Sequence, residues 1–328
     1  MLCEKDNSNE HKIEHLELRD ASELIKLDIR KLKTPKKEID FKASKWTFYF
    51  LEQEEIDLLE NIAEKYQIKT IGDYAKVEVG ITTGSNDYFT VTRDVVREYE
   101  LEEYAKPMVG RSVQVNSVIF SDKDWKDNNQ RDAKANLLVF PKRELLEESL
   151  GAKRYIEHGE QIGINKGYKC GIREDWFVIP SIKSSDALFI RRNNLYPKLI
   201  INQAGAYTTD TMHRVFLKDK TELQAFTASY YNSLSLAFAE VSGRSHGGGV
   251  LELMPNEAER ILLPYLEENK KLLAKIDKMV REKIHIEKIV ETTNQIILKE
   301  GFGLSDHEIE IAHRIWKKLS SRRLNRGK

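Results

Sequence analysis

The stretch from Ser229 to Pro264, SYYNSLSLAFAEVSGRSHGGGVLELMPNEAERILLP, constrains the possible folds more than any other part of the chain. It opens as a helix-spaced apolar stripe, passes through a Gly-rich basic turn, resumes as a short strand and leaves through a proline. The turn, Gly243-Arg244-Ser245-His246-Gly247-Gly248-Gly249, sets four glycines around one guanidinium and one imidazole. Glycine has no Cβ and tolerates positive φ, so such a turn permits very close backbone approach to a ligand. Upstream, Thr221 with Gln224 predicts the start of a helix whose buried stripe is Leu223, Phe226, Tyr230, Leu234 and Phe238. Helix, tight turn and strand in direct succession point to a mixed fold.

The rest of the 328 residues supports about two domains' worth of elements. Residues 1–19 read as a hairpin: a strand ending at Cys3, a polar turn Asp6-Asn7-Ser8-Asn9, then Ile13, Leu16 and Leu18 returning. A strand at the very start suggests that an N-terminal part is missing; a frayed edge strand is the alternative. Asp20 and Glu23 predict a short helix to about Leu32, with Thr34-Pro35-Lys36-Lys37 as linker. From Lys45 a brief aromatic strand leads into a helix with Ile56, Leu59, Ile62 and Tyr66 on one face. Further strands are expected at 75–79, 108–109, 113–120, 137–140, 187–192, 198–202 and 212–217, with a polar insertion at 122–136 and a helix from Glu144 to His158. Residues 167–180 resemble a twisted hairpin with Glu174-Asp175 at its tip; Trp176 reads as core. A long helix is expected from Leu266 to about Leu298, its stripe interrupted at Lys283. Ser305 with Glu308 caps a last short helix. The expectation is an α+β fold: an irregular, mostly antiparallel multi-stranded domain with packed helices, then the long and the terminal helix. The divisions are 1–44 (hairpin and linker helix), 45–264 (recognition domain) and 265–328 (helical segment with basic tail).

Charge excludes little by itself, because 53 basic and 53 acidic residues cancel, with a mean hydropathy of −0.54. The distribution is uneven: residues 50–110 hold 14 acidic against 6 basic side chains, while 311–328 hold 7 basic and no acidic ones. Cys3 and Cys170 are far apart and lack metal-ligand spacing, which suits a reducing cytoplasm and argues against a disulfide scaffold or zinc site. No apolar run is long enough to span a bilayer, and the charged start MLCEKDNSNEHK is unlike a signal peptide. Neither a Gly-Lys-Ser/Thr loop nor G-x-G-x-x-G occurs. No metal-dependent nuclease motif or serine elbow is present, and His11 and His15, four apart in a strand-like segment, make a poor metal pair.

Candidate binding residues cluster in loops at strand ends. Gly80 to Phe89 contains Thr82, Thr83, Gly84, Ser85 and Asn86, small polar residues whose amides and hydroxyls suit phosphates, although a simple hairpin turn has the same composition. Arg191, Arg192 and Asn193 follow one strand; Gln203, Tyr207, Thr208 and Thr209 follow another; His213 and Arg214 lie on a third. Arg, Asn and Gln make bidentate contacts with base edges, and Thr and Tyr bond phosphate, so these loops suit double-stranded DNA. A merely solvated face is the alternative.

Taken in order, VGITTGSNDYF (79–89), KPMVGRSVQV (106–115), INKGYKCGIREDWFVIPS (164–181), LFIRRNNLYPKLIINQAGAYTTDTMHRV (188–215) and YYNSLSLAFAEVSGRSHGGGVLELMPNEAERILLP (230–264) resemble the C-terminal region of gamma-class adenine-N6 DNA methyltransferases. This is the TaqI-like target-recognition domain of type II restriction-modification systems. The resemblance covers nearly the whole chain. It implies a DNA-reading part facing a catalytic, S-adenosylmethionine-binding domain across a DNA cleft, with residues 1–19 similar to the last hairpin of the catalytic sheet. It further implies that Arg244, Ser245, His246, Gly247 and Gly248 meet a DNA strand beside the target base; His246 stands where the family pattern leads one to expect Tyr.

Adenine-N6 methylation needs an Asn/Asp-Pro-Pro-Tyr/Phe loop that bonds the target amine and stacks on the flipped base. The seven prolines, at 35, 107, 141, 180, 197, 255 and 264, include no adjacent pair. The expectation is therefore a chain that is not catalytic alone, binds no cofactor itself, and serves with a catalytic methyltransferase subunit or domain that carries S-adenosylmethionine. A working subunit of an assembled methyltransferase and a non-catalytic protein-interaction scaffold are the alternatives.

Overall fold

The computed structural model describes residues 12–16, 18, 21–28, 34, 36–38, 45–146 and 149–325. Strand β1 (Lys12–Glu14) pairs antiparallel with β2 (Lys36–Glu38), Ile13 opposite Lys37, with helix α1 (Ala21–Lys26) between them. The return strand expected at Ile13 is thus present, but its partner is the stretch read as a linker. Lys37 is drawn there because its buried ammonium donates to the carbonyls of Tyr49 and Leu51. The expected strand ending at Cys3 and the Asp20 cap lie outside the described residues. The aromatic stretch Trp46–Phe50 is a 3-10 helix, not a strand.

Next come α2 (Gln53–Lys65), β3 (Lys69–Thr70), α3 (Ile71–Tyr74) and β4 (Ala75–Val79). Glu52 and Glu55 close the capping box of α2, which buries Ile56, Leu59 and Ile62 as its periodicity requires. A second group follows: α4 (Asn86–Phe89), β5 (Thr90–Val91), α5 (Arg93–Glu98), β6 (Ala105–Val109), β7 (Ile119–Phe120), α6 (Asp122–Gln130), β8 (Asn136–Leu138), α7 (Leu150–Gln161) and α8 (Tyr168–Gly171). Three expectations fail here. The strand expected over 113–120 is confined to β7, because the Gln114 side chain accepts the amides of Gly110 and Arg111 and bends the chain. The polar insertion is helix α6, whose first turn Ser121 and Asp124 cap reciprocally. The hairpin over 167–180 is absent: its first half is the helical turn α8, and the Trp176 carbonyl is taken by Arg173 instead of a neighbouring strand. Gly159 lies inside α7, where a Cβ would fall 2.4 Å from the Trp176 ring.

The third group is β9 (Ala187–Ile190), β10 (Arg192–Asn193), β11 (Leu199–Asn202), β12 (Tyr207–Thr208) and β13 (Met212–Leu217). Helices α9 (Leu223–Tyr230) and α10 (Ser233–Ser242) replace the single helix expected there. Buried Asn232 makes the break, donating to Ser229 O and accepting the Ser235 amide at 2.9 Å as the cap of α10; Glu222, not Thr221, caps α9. The chain continues through β14 (Arg244–Ser245), β15 (Leu251–Glu252), α11 (Pro255–Glu259), β16 (Leu262–Leu263), α12 (Leu273–Arg281), α13 (Ile286–Thr293) and α14 (Asp306–Leu324). The long helix expected over 266–298 is therefore several shorter ones. Lys283 at φ 58 ends α12, and the last turns, Asn294–Gly301, widen to π geometry where Thr293 and Asn294 bond Tyr231 O and Ser233. The terminal helix is the longest described and carries the basic residues from Arg314 to Arg323.

The architecture is α+β. A five-stranded sheet, order β4-β13-β9-β11-β7, is covered by the N- and C-terminal helices, while a four-stranded sheet, β12-β6-β8-β5, stands over its own aromatic core of Tyr88, Phe89, Tyr155, Trp176 and Phe177. Among the described residues all ladders are antiparallel except β11 with β7 and β12 with β6. Packing is continuous across Pro264, since Leu236, Leu253 and Leu263 share one core with Ile276, Ile289 and Trp316.

Candidate nucleic-acid interface

The strand ends carry four loops into one neighbourhood. Gly80 makes the first junction: its amide bonds Met212 O at 3.1 Å, and a Cβ there would lie 1.9 Å from Thr209 O, so only glycine fits. Ile81 then bridges Thr209, which brings the 82–86 loop against the 203–211 loop. Asn86 donates to Asp210 at 3.1 Å, and Arg191 reaches Asp210 O at 3.2 Å, adding the third loop. Arg191, Arg192 and His246 all meet Glu252, each at 3.0 Å, and this adds the Gly-rich turn.

Glu252 organises that junction. Burial disfavours its charge, but hydrogen bonds from Arg192 and His246 and the charges of Arg191 and Arg192 outweigh this, holding the carboxyl below its ordinary value. Glu257 does the same for Arg244, whose Nε donates to it at 2.9 Å beside Lys45 at 2.7 Å. Its charge too is disfavoured by burial and restored by Lys45, the Met254 amide and Arg244. Only Nε of Arg192 and of Arg244 is bonded among the described residues, and those side chains stay 67% and 54% exposed. Their terminal nitrogens remain available while their stems are fixed.

The other expected contacts divide by burial. Thr82, Gly84, Asn86, Gln203, Ser245, His246, Gly247 and Gly248 are exposed, and Ser85 and Tyr207 are half-buried. Gln203 sits on a turn closed by Asn202, which accepts the Ala206 amide and donates to Ala206 O, both at 2.8 Å. Thr83 is buried and bonds Asn86 and the Ser85 amide. Asn193 is buried with its amide on Ile190 O, and Thr208 is buried with its hydroxyl on Val109 O. Thr209 is buried beside Thr211. Arg214, 11% exposed, is committed to Val79 O, Ser181 O, Lys183 O and Glu78. His213 is fully buried against Leu253 O, and burial lowers its pKa.

The glycines of the turn serve different ends. Gly248 and Gly249 have φ 71 and 75; Gly249 packs on Leu324, and Gly243 on Leu251, whereas nothing lies within 4 Å of a Cβ at Gly247 or Gly248. Gly249 is also held from below. Its carbonyl and that of Asn194 accept from Arg323, whose guanidinium forks onto Glu240 at 2.6 and 3.1 Å with both side chains buried. The other described basic residues of the tail are similarly engaged: Arg314 and Lys318 bind Glu54 and Glu55, Lys317 binds Glu287, and Arg322 covers the Phe50 ring.

A family model described as the C-terminal domain of the type II methyltransferase M.Eco57I matches residues 43–298, most of the chain. The chain belongs to this M.Eco57I C-terminal-domain family. Among curated proteins it is similar to the type II methyltransferase M.AccI of Acinetobacter calcoaceticus, 22% identical over 221 residues, covering 66% of this chain and 39% of that one. Among solved structures it resembles the type IIG restriction endonuclease BpuSI, with TM-score 0.55 and 12% identity over 90% of this chain and 36% of that one, a likeness of fold. The chain thus spans less than two fifths of either relative. The M.Eco57I-family segment includes all four loops, while Arg323 lies beyond it.

Sequence reading of this family member passed over the acids. Glu252 and Glu257 follow the basic turn within LELMPNE, and two carboxylates eight and thirteen residues after Arg244 were the available signal. It also passed over Arg111, exposed on the 110–114 loop that Thr211 ties to the interface through Gly110 O at 2.9 Å. Among the described residues no group of His, Cys, Asp or Glu could hold a metal, and no helix is long and apolar enough to cross a membrane. His11 lies outside them.

Proposed function

We propose that this chain is the DNA-reading part of a type II restriction-modification adenine-N6 DNA methyltransferase whose S-adenosylmethionine-binding catalytic part is a separate domain or subunit. The observation that carries this reading is the pair of exposed guanidiniums, Arg192 and Arg244, each fixed through Nε by a buried carboxylate on converging loops. Guanidiniums with anchored stems and free terminal nitrogens suit bidentate contact with phosphate or guanine. Thr82, Asn86, Gln203, His246 and the amides of Gly247 and Gly248 surround them as further polar contacts. Asn193, Thr208, Thr209 and Arg214 support the loops from beneath. The isolated prolines leave no Pro-Pro-Tyr/Phe loop, in keeping with chemistry supplied by a partner.

Selection of duplexes from a randomised pool, followed by titration over a range of salt, tests the proposal. The wild-type chain is expected to enrich a defined sequence, and Arg192→Ala or Arg244→Ala to weaken binding and reduce the salt slope by about 1 where the residue meets phosphate. Enrichment of no sequence, alone or with the catalytic part co-expressed, refutes it. Detection of N6-methyladenine on co-expression tests the assembled enzyme.

A further inference from the structure

We propose that α8 and the residues around it form an apolar wedge that enters the DNA beside the 82–86 loop, with Tyr168 stacking on a base exposed by distortion of the duplex. This rests on the DNA-reading role proposed above and adds an element to it. Tyr168 is 82% and Ile172 70% exposed, on one side of a helical turn four residues apart. No other aromatic side chain is as exposed among the described residues.

The mount is rigid and adjoins the interface. Cys170, between the two exposed side chains, is buried in the aromatic core. A Cβ at Gly84, which has φ 94, would lie 2.8 Å from Cys170 Sγ and 3.4 Å from Lys169 Cβ, so the turn rests directly on the 82–86 loop. Arg173 fastens the two, donating to Thr82 O at 3.2 Å.

Charge selects the occupant. Residues 161–173, QIGINKGYKCGIR, contain Lys166, Lys169 and Arg173 and no acid. Lys166 and Lys169 are exposed and form no ion pair among the described residues, unlike the engaged arginines of the C-terminal helix. An apolar tip between unneutralised cations, continuous with the loops that carry Arg192 and Arg244, fits a nucleic-acid backbone with an opened base step. Side chains of this kind unstack base steps when they insert, and an aromatic ring on a base compensates part of that cost.

The test uses the duplex that the wild-type chain enriches from a randomised pool, with binding measured over a salt series and unstacked thymines mapped by permanganate. Tyr168→Ala and Ile172→Ala are expected to weaken binding by roughly 5- to 100-fold without changing the salt slope, and to diminish permanganate reactivity. Tyr168→Phe keeps the ring and restores affinity. Lys169→Ala lowers the salt slope. Both alanine positions are exposed, so an unchanged melting temperature confirms that folding is intact. Wild-type affinity in Tyr168→Ala and Ile172→Ala overturns the wedge while the DNA-reading role stands. Loss of association with a catalytic subunit at unchanged DNA affinity also overturns it, making the patch a protein-docking surface. If the wild-type chain enriches no DNA, the DNA-reading role fails and the wedge with it.

Discussion

Replacing Arg323 by methionine tests whether the C-terminal helix holds the Gly-rich turn in place. Arg323 and Glu240 are 1% and 2% exposed, and the same guanidinium supplies donors to Asn194 O and Gly249 O. In Arg323→Met the Glu240 carboxylate loses its cation and the two carbonyls lose a donor, so about 3–5 kcal/mol of folding stability is expected to disappear at neutral pH. Glu240→Met alone leaves a buried guanidinium and costs a similar amount. The double variant Arg323→Met/Glu240→Met removes both charges, and its loss is expected to be only roughly 1–3 kcal/mol, set by the two carbonyls. Urea unfolding of the four proteins closes the cycle and gives the coupling directly.

The pH dependence fixes the cause. Burial pushes the Glu240 carboxyl up even with Arg323 opposing it, and removing Arg323 pushes it further. A carboxyl whose folded pKa exceeds its unfolded value binds more protons in the native state between the two values. Stability therefore falls as pH rises through that window and is restored as pH drops toward the ordinary carboxylate range. The deficit of Arg323→Met should accordingly shrink on acidification. A deficit under about 1 kcal/mol at neutral pH, or one that grows on acidification relative to wild type, would refute the reasoning.

Gly80→Ala places a Cβ 1.9 Å from Thr209 O and should cost more than about 2 kcal/mol in urea unfolding, whereas Gly247→Ala, with nothing within 4 Å, should stay within about 0.5 kcal/mol yet weaken DNA binding. Asp124, whose charge burial disfavours but Arg281 and Ser121 restore, is pulled down to about 2, so Asp124→Asn should cost roughly 2 kcal/mol at neutral pH. That difference should fade as pH falls from about 4 toward 2, because a depressed carboxyl stabilises only above its unfolded pKa; a difference independent of pH would contradict it. Glu252→Gln should leave folding intact but raise the salt slope of non-specific DNA binding and narrow the gap between specific and non-specific affinity, measured by competition.

Periodicity made α2 and the capped start of α14 legible, since Glu52 and Glu55, or Ser305 and Glu308, act within a few residues of where they lie in sequence. The same reasoning failed where a distant group decided the local backbone. Asn232 ends one helix because a buried amide caps the next; the apolar stripe simply continues through it. The segment 167–180 reads as a hairpin, but its first half folds into α8 and Arg173 takes the Trp176 carbonyl. Loop chemistry was readable as a set and not residue by residue. Arg192 and Arg214 look alike in sequence, yet one ends with its terminal nitrogens available and the other with its guanidinium on three backbone carbonyls.

The acids decide how a chain with no net charge presents a basic surface. Glu252 and Glu257 are nearly buried and sit behind the arginines, so their charge is shared among cations and not displayed beside them. An unrestrained arginine loses side-chain entropy on binding, whereas one held at Nε has already lost part of it, and each free terminal nitrogen then carries a fixed direction. A cation held in this way discriminates between sites by geometry, while a mobile one attracts any phosphate within reach of its field. In the C-terminal helix the pairing has the opposite result: Arg323 and Glu240 are both buried, leaving no terminal nitrogen for a ligand and a purely internal brace. Terminal nitrogens without a partner among the described residues therefore set Arg192 and Arg244 apart from Arg323 and Arg214, and the proposed DNA-reading role needs those nitrogens.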